Sequence, residues 1–285
     1  MNRRRFLAFV GGAVVMAPAA CRSSASVRTG AGRRLRSVGV QLYSLRDDAR
    51  RDLAGTLAAI AEIGYSDVEL LGSMANFGMP PAQLRRVLDD NGLRASSTHV
   101  GGSALDDLER QLDEAQTLGH RDLIIASLPI QGQRTLDDYR RWSDRLNDAG
   151  QRTLSRGIHI GFHNHANDHT PIDGVVPYDL LVERTEPGLV RLQLDTGNTA
   201  MAGHDPLEYL RRYGDRYWSF HIKDVPRLGA TSDTELGQGV IDLRRLLAGI
   251  SDIENKLLYV EQETYPGTPL ESVRRDYSYI TSLEF

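Results

Sequence analysis

The residues of this 285-residue chain best suited to chemistry are imidazoles and carboxylates, and they recur in one kind of place. His163-Asn164-His165, Asp195 with Asn198 three residues on, His221-Ile222-Lys223 and Glu261-Gln262-Glu263 each stand at the end of a short apolar run or directly follow one. Gln41, Tyr43, Glu69 and His99 stand in the same relation to earlier runs. Acids and imidazoles crowded into one place cost energy unless a cation sits among them. Donors of the Asp, Glu and His type, without thiolates, suit one divalent ion such as Mn, Mg, Zn or Co. The single cysteine, Cys21, excludes an internal disulfide and a thiolate cluster. Each signal alone has a plainer alternative. Two strand-end histidines also serve as core or surface residues, Asp195 as a helix N-cap, and His221 and Lys223 as a satisfied core histidine and a surface lysine. Four separate run ends that all carry ligand-type residues favour a shared site.

The elements that must position these groups are eight apolar runs, at 38–42, 67–70, 94–98, 122–126, 159–162, 190–194, 218–222 and 257–260. Each carries aliphatics on successive positions, as expected for strands covered on both faces. Between them Leu53, Leu57, Ile60, Ala61 and Ile63 recur at helical spacing, as do Leu84, Val87 and Leu88, and Leu105, Leu108, Leu112 and Ala115. Gly64, Gly92, Gly119 and Gly157 each close a helical stretch ahead of a strand, where a left-handed residue ends a helix. A helix-Gly-strand unit that repeats about every 28 residues predicts βα units and a parallel sheet. The fold class is therefore α/β, a single-domain (β/α)8 TIM barrel over residues 37–285, whose functional groups gather at the C-terminal ends of the strands. An open doubly wound sheet is the alternative, but no G-x-G-x-x-G turn follows a strand.

The N-terminal 36 residues read as an address and a tether. Arg3-Arg4-Arg5-Phe6-Leu7 followed by the apolar stretch 8–20 resembles a twin-arginine export signal, and the core is too short and Gly/Ala-rich to anchor as a transmembrane helix. A periplasmic protein is the expected product. Pro18-Ala19-Ala20-Cys21 resembles a lipoprotein cleavage box whose first position departs from the usual branched aliphatic, so membrane attachment rests on lipidation of Cys21. Residues 22–36, rich in Ser, Arg and Gly, read as a flexible linker. Residues 1–46 hold nine arginines and no acid, which leaves 25 basic against 38 acidic side chains in the body. Such an acidic body excludes a nucleic-acid partner that is held by phosphate neutralisation.

The motifs along the body resemble those of the xylose isomerase-like barrels, the sugar phosphate isomerase/epimerase superfamily that also contains endonuclease IV. The resemblance runs from Val38 to Phe285 and rests on the stretches 40–46, 162–165, 194–198, 202–206, 221–224, 237–242 and 260–263. It implies a metal held by a Glu on strand five, an Asp on strand six, a His on strand seven and a Glu on strand eight. The last three match Asp195, His221 and Glu261. The strand-five position is His163, a departure that replaces one of the two carboxylates with which the family's epimerases work. The family's substrate arginine matches Arg227, and its strand-six histidine matches Asn198, a second departure. Homo-oligomers are common among such proteins.

The resemblance implies a metal-dependent isomerase or epimerase acting on a sugar or keto-sugar. Its expected base is Glu261, His165 or Lys223, with Gln41, Glu69, His99, Asn198 and Arg227 as substrate contacts. Expulsion of a β-substituent in place of proton return makes a lyase or dehydratase. Further alternatives are a sugar-binding barrel without turnover and a metal-dependent hydrolase.

Overall fold

The computed structural model describes residues 32–130 and 132–285. The stretch expected to direct export and Cys21 fall outside them. Eight strands run parallel: β1 (Gly39–Gln41), β2 (Asp67–Glu69), β3 (Ser97–Gly101), β4 (Asp122–Ser127), β5 (His159–His163), β6 (Val190–Asp195), β7 (Tyr217–Ile222) and β8 (Leu257–Val260). Their order in the sheet is β2-β1-β8-β7-β6-β5-β4-β3. Isolated parallel bridges, Asp67 to Arg94 and Leu70 to Thr98, join β2 to β3 and all but close the barrel. At least one helix follows each strand, among them Leu53–Ile63, Pro81–Asp90, Leu108–Leu118, Leu136–Thr153 and Pro269–Ser282. Gly64, Gly92, Gly119 and Gly157 all have positive φ where their helical stretches end.

All eight sequence runs hold a strand, but β3 begins at Ser97 and not at Arg94. The cause is Asp67 at the seam. Its carboxylate accepts the backbone N–H of Ser96 at 2.9 Å and the Ser96 hydroxyl, so a side chain takes the place of a ladder bond there.

The strands are not apolar on both faces. Outward residues such as Val40, Val68, Ile160, Phe162, Leu192, Leu194, Phe220 and Val260 join the hydrophobic core beneath the helices. The alternate residues face the barrel axis and are largely polar, because strand side chains point to opposite faces in turn. Contacts between strands that are not neighbours prove the inward set: Glu69 with Gln193, Ser97 with Tyr259, and His99 with Gln193. The ends opposite the mouth carry charges too, but these pair with one another, as in Arg191 with Asp122 at 2.7 Å and Arg94 with Asp67 at 3.3 Å.

Tyr259 crosses the interior at the level of Gly39, and a Cβ on Gly39 would lie 2.5 Å from the Tyr259 ring and 3.1 Å from the Asp67 carbonyl oxygen. Tyr259 is buried and has no room to yield. Gly39→Ala should therefore destabilise the protein by about 1–3 kcal/mol through overpacking. Denaturant unfolding of Gly39→Ala alone and combined with Tyr259→Leu checks this, the second change relieving the first.

Candidate active site

Strand register brings the ligand-type residues together. Asp195 on β6 pairs with His221 on β7, and His163 on β5 pairs with Gln193 on β6. Glu261 follows β8 directly and donates its backbone N–H to the Ile222 carbonyl. The ligand atoms of Asp195, His221 and Glu261 lie within 4.8 Å of one another, and all three residues are buried. His221 Nδ1 is 2.8 Å from Glu261 Oε2 and 3.9 Å from Asp195 Oδ2. His163 Nε2 approaches Asp195 Oδ2 to 3.7 Å. Lys223 Nζ sits among the acids, 2.9 Å from Glu261, 3.4 Å from Asp195 and 2.5 Å from Glu263.

The segment 195–198 shows how a short motif builds such a site. Asp195 is indeed a helix N-cap: its Oδ1 accepts the Asn198 N–H at 2.7 Å. Its Oδ2 accepts from Asn198 Nδ2 at 2.9 Å and faces His163, His221 and Lys223. One carboxylate therefore caps the helix and serves the site. The Thr196 hydroxyl bonds backbone groups at the end of β7, where it accepts the Lys223 N–H at 2.9 Å. Gly197 lets the Lys223 stem pass, since a Cβ there would lie 2.6 Å from Lys223 Cβ. Beyond β7, Asp224 accepts the backbone N–H groups of Val225, Gly237, Gly239 and Ile241 and so folds the loop that carries the 237–242 motif.

The cavity above these groups measures about 570 Å³, and its lining includes Tyr43, His99, His163, His165, Asn198, Lys223 and Glu261. A larger cavity, about 1060 Å³, opens on the strands' N-terminal side, but its lining contains no histidine and none of the ligand-type cluster. The placement of three expected substrate contacts differs from the sequence reading. Gln41 and Glu69 are wholly buried below the mouth, where Gln41 Nε2 donates to Glu69 at 2.6 Å, because the strand ends before their side chains reach the opening. Arg227 is exposed, does not line the cavity and donates to the carbonyls of Leu228 and Gly229 in its own loop. The sequence reading passed over Gln193, whose amide touches His99, His163 and Glu69. Its signal is a lone amide on an apolar strand.

Residues 57–283 match the xylose isomerase-like TIM barrels. The chain belongs to that family. An inosose dehydratase of Geobacillus kaustophilus is 30% identical over 195 residues, which cover 59% of this chain and 61% of that protein, under two thirds of its length. An inosose dehydratase of Mesomycoplasma hyopneumoniae is 24% identical over 291 residues, covering 86% of this chain and 95% of that protein. A sugar phosphate isomerase/epimerase from Parabacteroides distasonis superposes with a TM-score of 0.74 at 25% identity over 85% of this chain and 96% of that one.

The donor set fits a divalent cation on its own physical terms. Burial alone would raise the Glu261 carboxyl, but Lys223 and His221 beside it hold it well below the ordinary carboxylate range. Burial pushes Asp195 up to about 6 against the pull of Lys223. Burial would lower His221, but Glu261 and Glu69 on its two nitrogens overcome this and raise it to about 10. At neutral pH three buried carboxylates, Glu69, Asp195 and Glu261, face Lys223 and a protonated His221, which leaves one negative charge in excess. A divalent ion in place of one His221 proton brings the set to neutrality.

A His221 imidazolium must lose its Nδ1 proton to bind an ion, and below its raised pKa that proton competes. Zinc affinity measured by chelator competition should therefore rise from about pH 6 to 9 with release of about one proton. Asp195→Ala and His221→Ala should each abolish this binding.

Proposed function

We propose that this protein is a divalent-metal-dependent enzyme that takes the proton next to the carbonyl of a keto-sugar or related keto-polyol and returns it elsewhere, as an isomerase or epimerase does. The reading rests on one observation: the buried Asp195–His221–Glu261 cluster opens into a cavity that also presents the imidazole of His165 and the ammonium of Lys223. His163, Asp195, His221 and Glu261 would hold the divalent ion, which would supply Lewis acidity toward the substrate's carbonyl. Two imidazoles and two carboxylates suit Zn, Mn or Co.

The chain's own residues divide the proton work. Burial lowers His165, so this imidazole is neutral at physiological pH and accepts a proton. Burial would lower Lys223 too, but Asp195, Glu261 and Glu263 hold it well above its ordinary value, so it donates to, or stabilises, a developing oxyanion. Glu261, held anionic, serves as a ligand more readily than as a base. His99, Asn198 and Tyr43 on the cavity wall offer hydrogen bonds to hydroxyls.

A second reading, dehydration, is favoured by His163 in the strand-five position and by the two inosose dehydratase relatives. Unlike acid and base groups line this cavity, and elimination uses both. The base takes the α-proton, the carbon–carbon double bond forms, and the β-hydroxyl leaves as water with a proton from the acid. Zinc- or manganese-loaded protein should incorporate solvent deuterium into a keto-sugar without loss of water on the first reading. It should release water and form a conjugated enone on the second, and neither event sinks both. His165→Asn should lower turnover by about 10²–10⁴-fold and remove the acid limb of the pH profile, which lies below the ordinary histidine value.

We further propose that residues 1–36 direct export and tether the barrel, which the paired arginines and the apolar stretch behind them support. Arg3→Lys with Arg4→Lys should leave the uncleaved precursor in the cytoplasm of a bacterial host. Undiminished export of that double variant would overturn the assignment.

A further inference from the structure

We infer that Glu69 and Gln193, below the mouth, are positioning residues that decide which ring nitrogen each of three histidines turns toward the site. They assign Nε2 of His163, Nδ1 of His221 and Nδ1 of His99. The ligand part of this inference rests on the metal reading above; the tautomer part does not.

Gln193 is fully buried, and its amide has three polar neighbours. Its Oε1 lies 2.8 Å from His99 Nε2 and 3.0 Å from His163 Nδ1, and its Nε2 lies 2.8 Å from Glu69 Oε1. The reverse orientation of the amide would set its carbonyl oxygen against a carboxylate oxygen, so the orientation is determined by Glu69. A carbonyl only accepts. His163 therefore carries its hydrogen on Nδ1 and keeps its lone pair on Nε2, the nitrogen that faces Asp195.

Glu69 performs the same office for His221. Its carboxylate has no exposed surface and accepts from Gln41 Nε2, Gln193 Nε2 and the Ser97 hydroxyl. His221 Nε2 lies against its Oε2, so His221 holds a hydrogen on Nε2 and leaves Nδ1 for the cluster of Glu261 and Asp195. A carboxylate behind a ligand histidine fixes its orientation and raises its basicity. His99 shares its Nε2 hydrogen between Gln193 Oε1 and Glu69 Oε2, the latter at 3.1 Å. Its lone pair then lies on Nδ1, on a ring that lines the cavity.

The three rings lie 4.6–5.0 Å apart, close enough for one disordered tautomer to set an N–H where a lone pair is needed. A single buried carboxylate and a single amide remove that ambiguity for all three. Gln41 and Ser97, both bonded to Glu69, hold the carboxylate in place.

Long-range proton–nitrogen NMR of histidine-labelled, zinc-loaded protein tests the assignment directly. The expected pattern is a hydrogen on Nε2 of His221 and His99 and on Nδ1 of His163. Glu69→Gln puts an amide that also donates against His221 Nε2, and it should lower zinc affinity about 10–100-fold and mix the His99 tautomers while the thermal melt stays cooperative. The opposite tautomer at any of the three rings of the wild type overturns the inference, and so does wild-type zinc affinity in Glu69→Gln. Should that variant fail to fold, the wild-type spectrum decides. Should the wild type bind no zinc, the metal reading falls, while the His99 and His163 tautomers of the metal-free protein still decide the lock.

Discussion

Three carboxylates with almost no exposure, Glu69, Asp195 and Glu261, share the inside of one small barrel, and the rest of the site follows from the need to keep them charged there. A buried ion is tolerated only where opposite charge and N–H donors replace water. Lys223 and His221 supply the charge, and Gln41, Gln193, Asn198 and the hydroxyl of Ser97 supply the donors. Remove one partner and an uncompensated charge remains in a dry place, which costs more than the pair contributed. The network is consequently rigid, and rigidity is what a site needs if it is to hold a cation and a substrate oxygen in fixed geometry.

The barrel makes this arrangement available at low structural cost. Period-two alternation along each strand puts one set of residues under the helices and the other on the axis, so core and site are built from the same strands without competing. Two layers of polar side chains result: Gln41, Glu69 and Gln193 below, with the cluster of His163, Asp195, His221 and Glu261 above. Glycine makes room where a large residue crosses, as Gly39 does for Tyr259 and Gly197 for the stem of Lys223. In the loop after β7, Asp224 accepts four backbone N–H groups.

Much of this was legible from residue types and spacing. Eight apolar runs separated by helical periodicity pointed to eight strands, and chain reversals at Gly64, Gly92, Gly119 and Gly157 mark four of the units. The convergence of Asp195, His221 and Glu261 was legible because each ends an apolar run, and a parallel barrel collects strand ends at one mouth. Depth was not legible. Glu69 ends β2 and His99 sits in the middle of β3, yet Glu69 lies wholly buried while His99 reaches the cavity, because the stagger that sets Leu70 opposite Thr98 carries His99 nearer the mouth. Arg227, placed by family spacing alone, turns into its own loop.

The amino-acid sequence by itself determined the fold class, the set of strands and the chemical character of the mouth, since periodicity and residue type are local properties that survive without coordinates. Only the tertiary structure decided which nitrogen of each histidine faces the cluster, that Asp195 divides its two oxygens between a helix cap and the site, and that Gln193 belongs to the machinery. These depend on contacts between strands far apart in the chain, such as β2 with β6 across the barrel axis. Hydrogen-bond direction over two to three ångströms is a property of that packing and of no single segment.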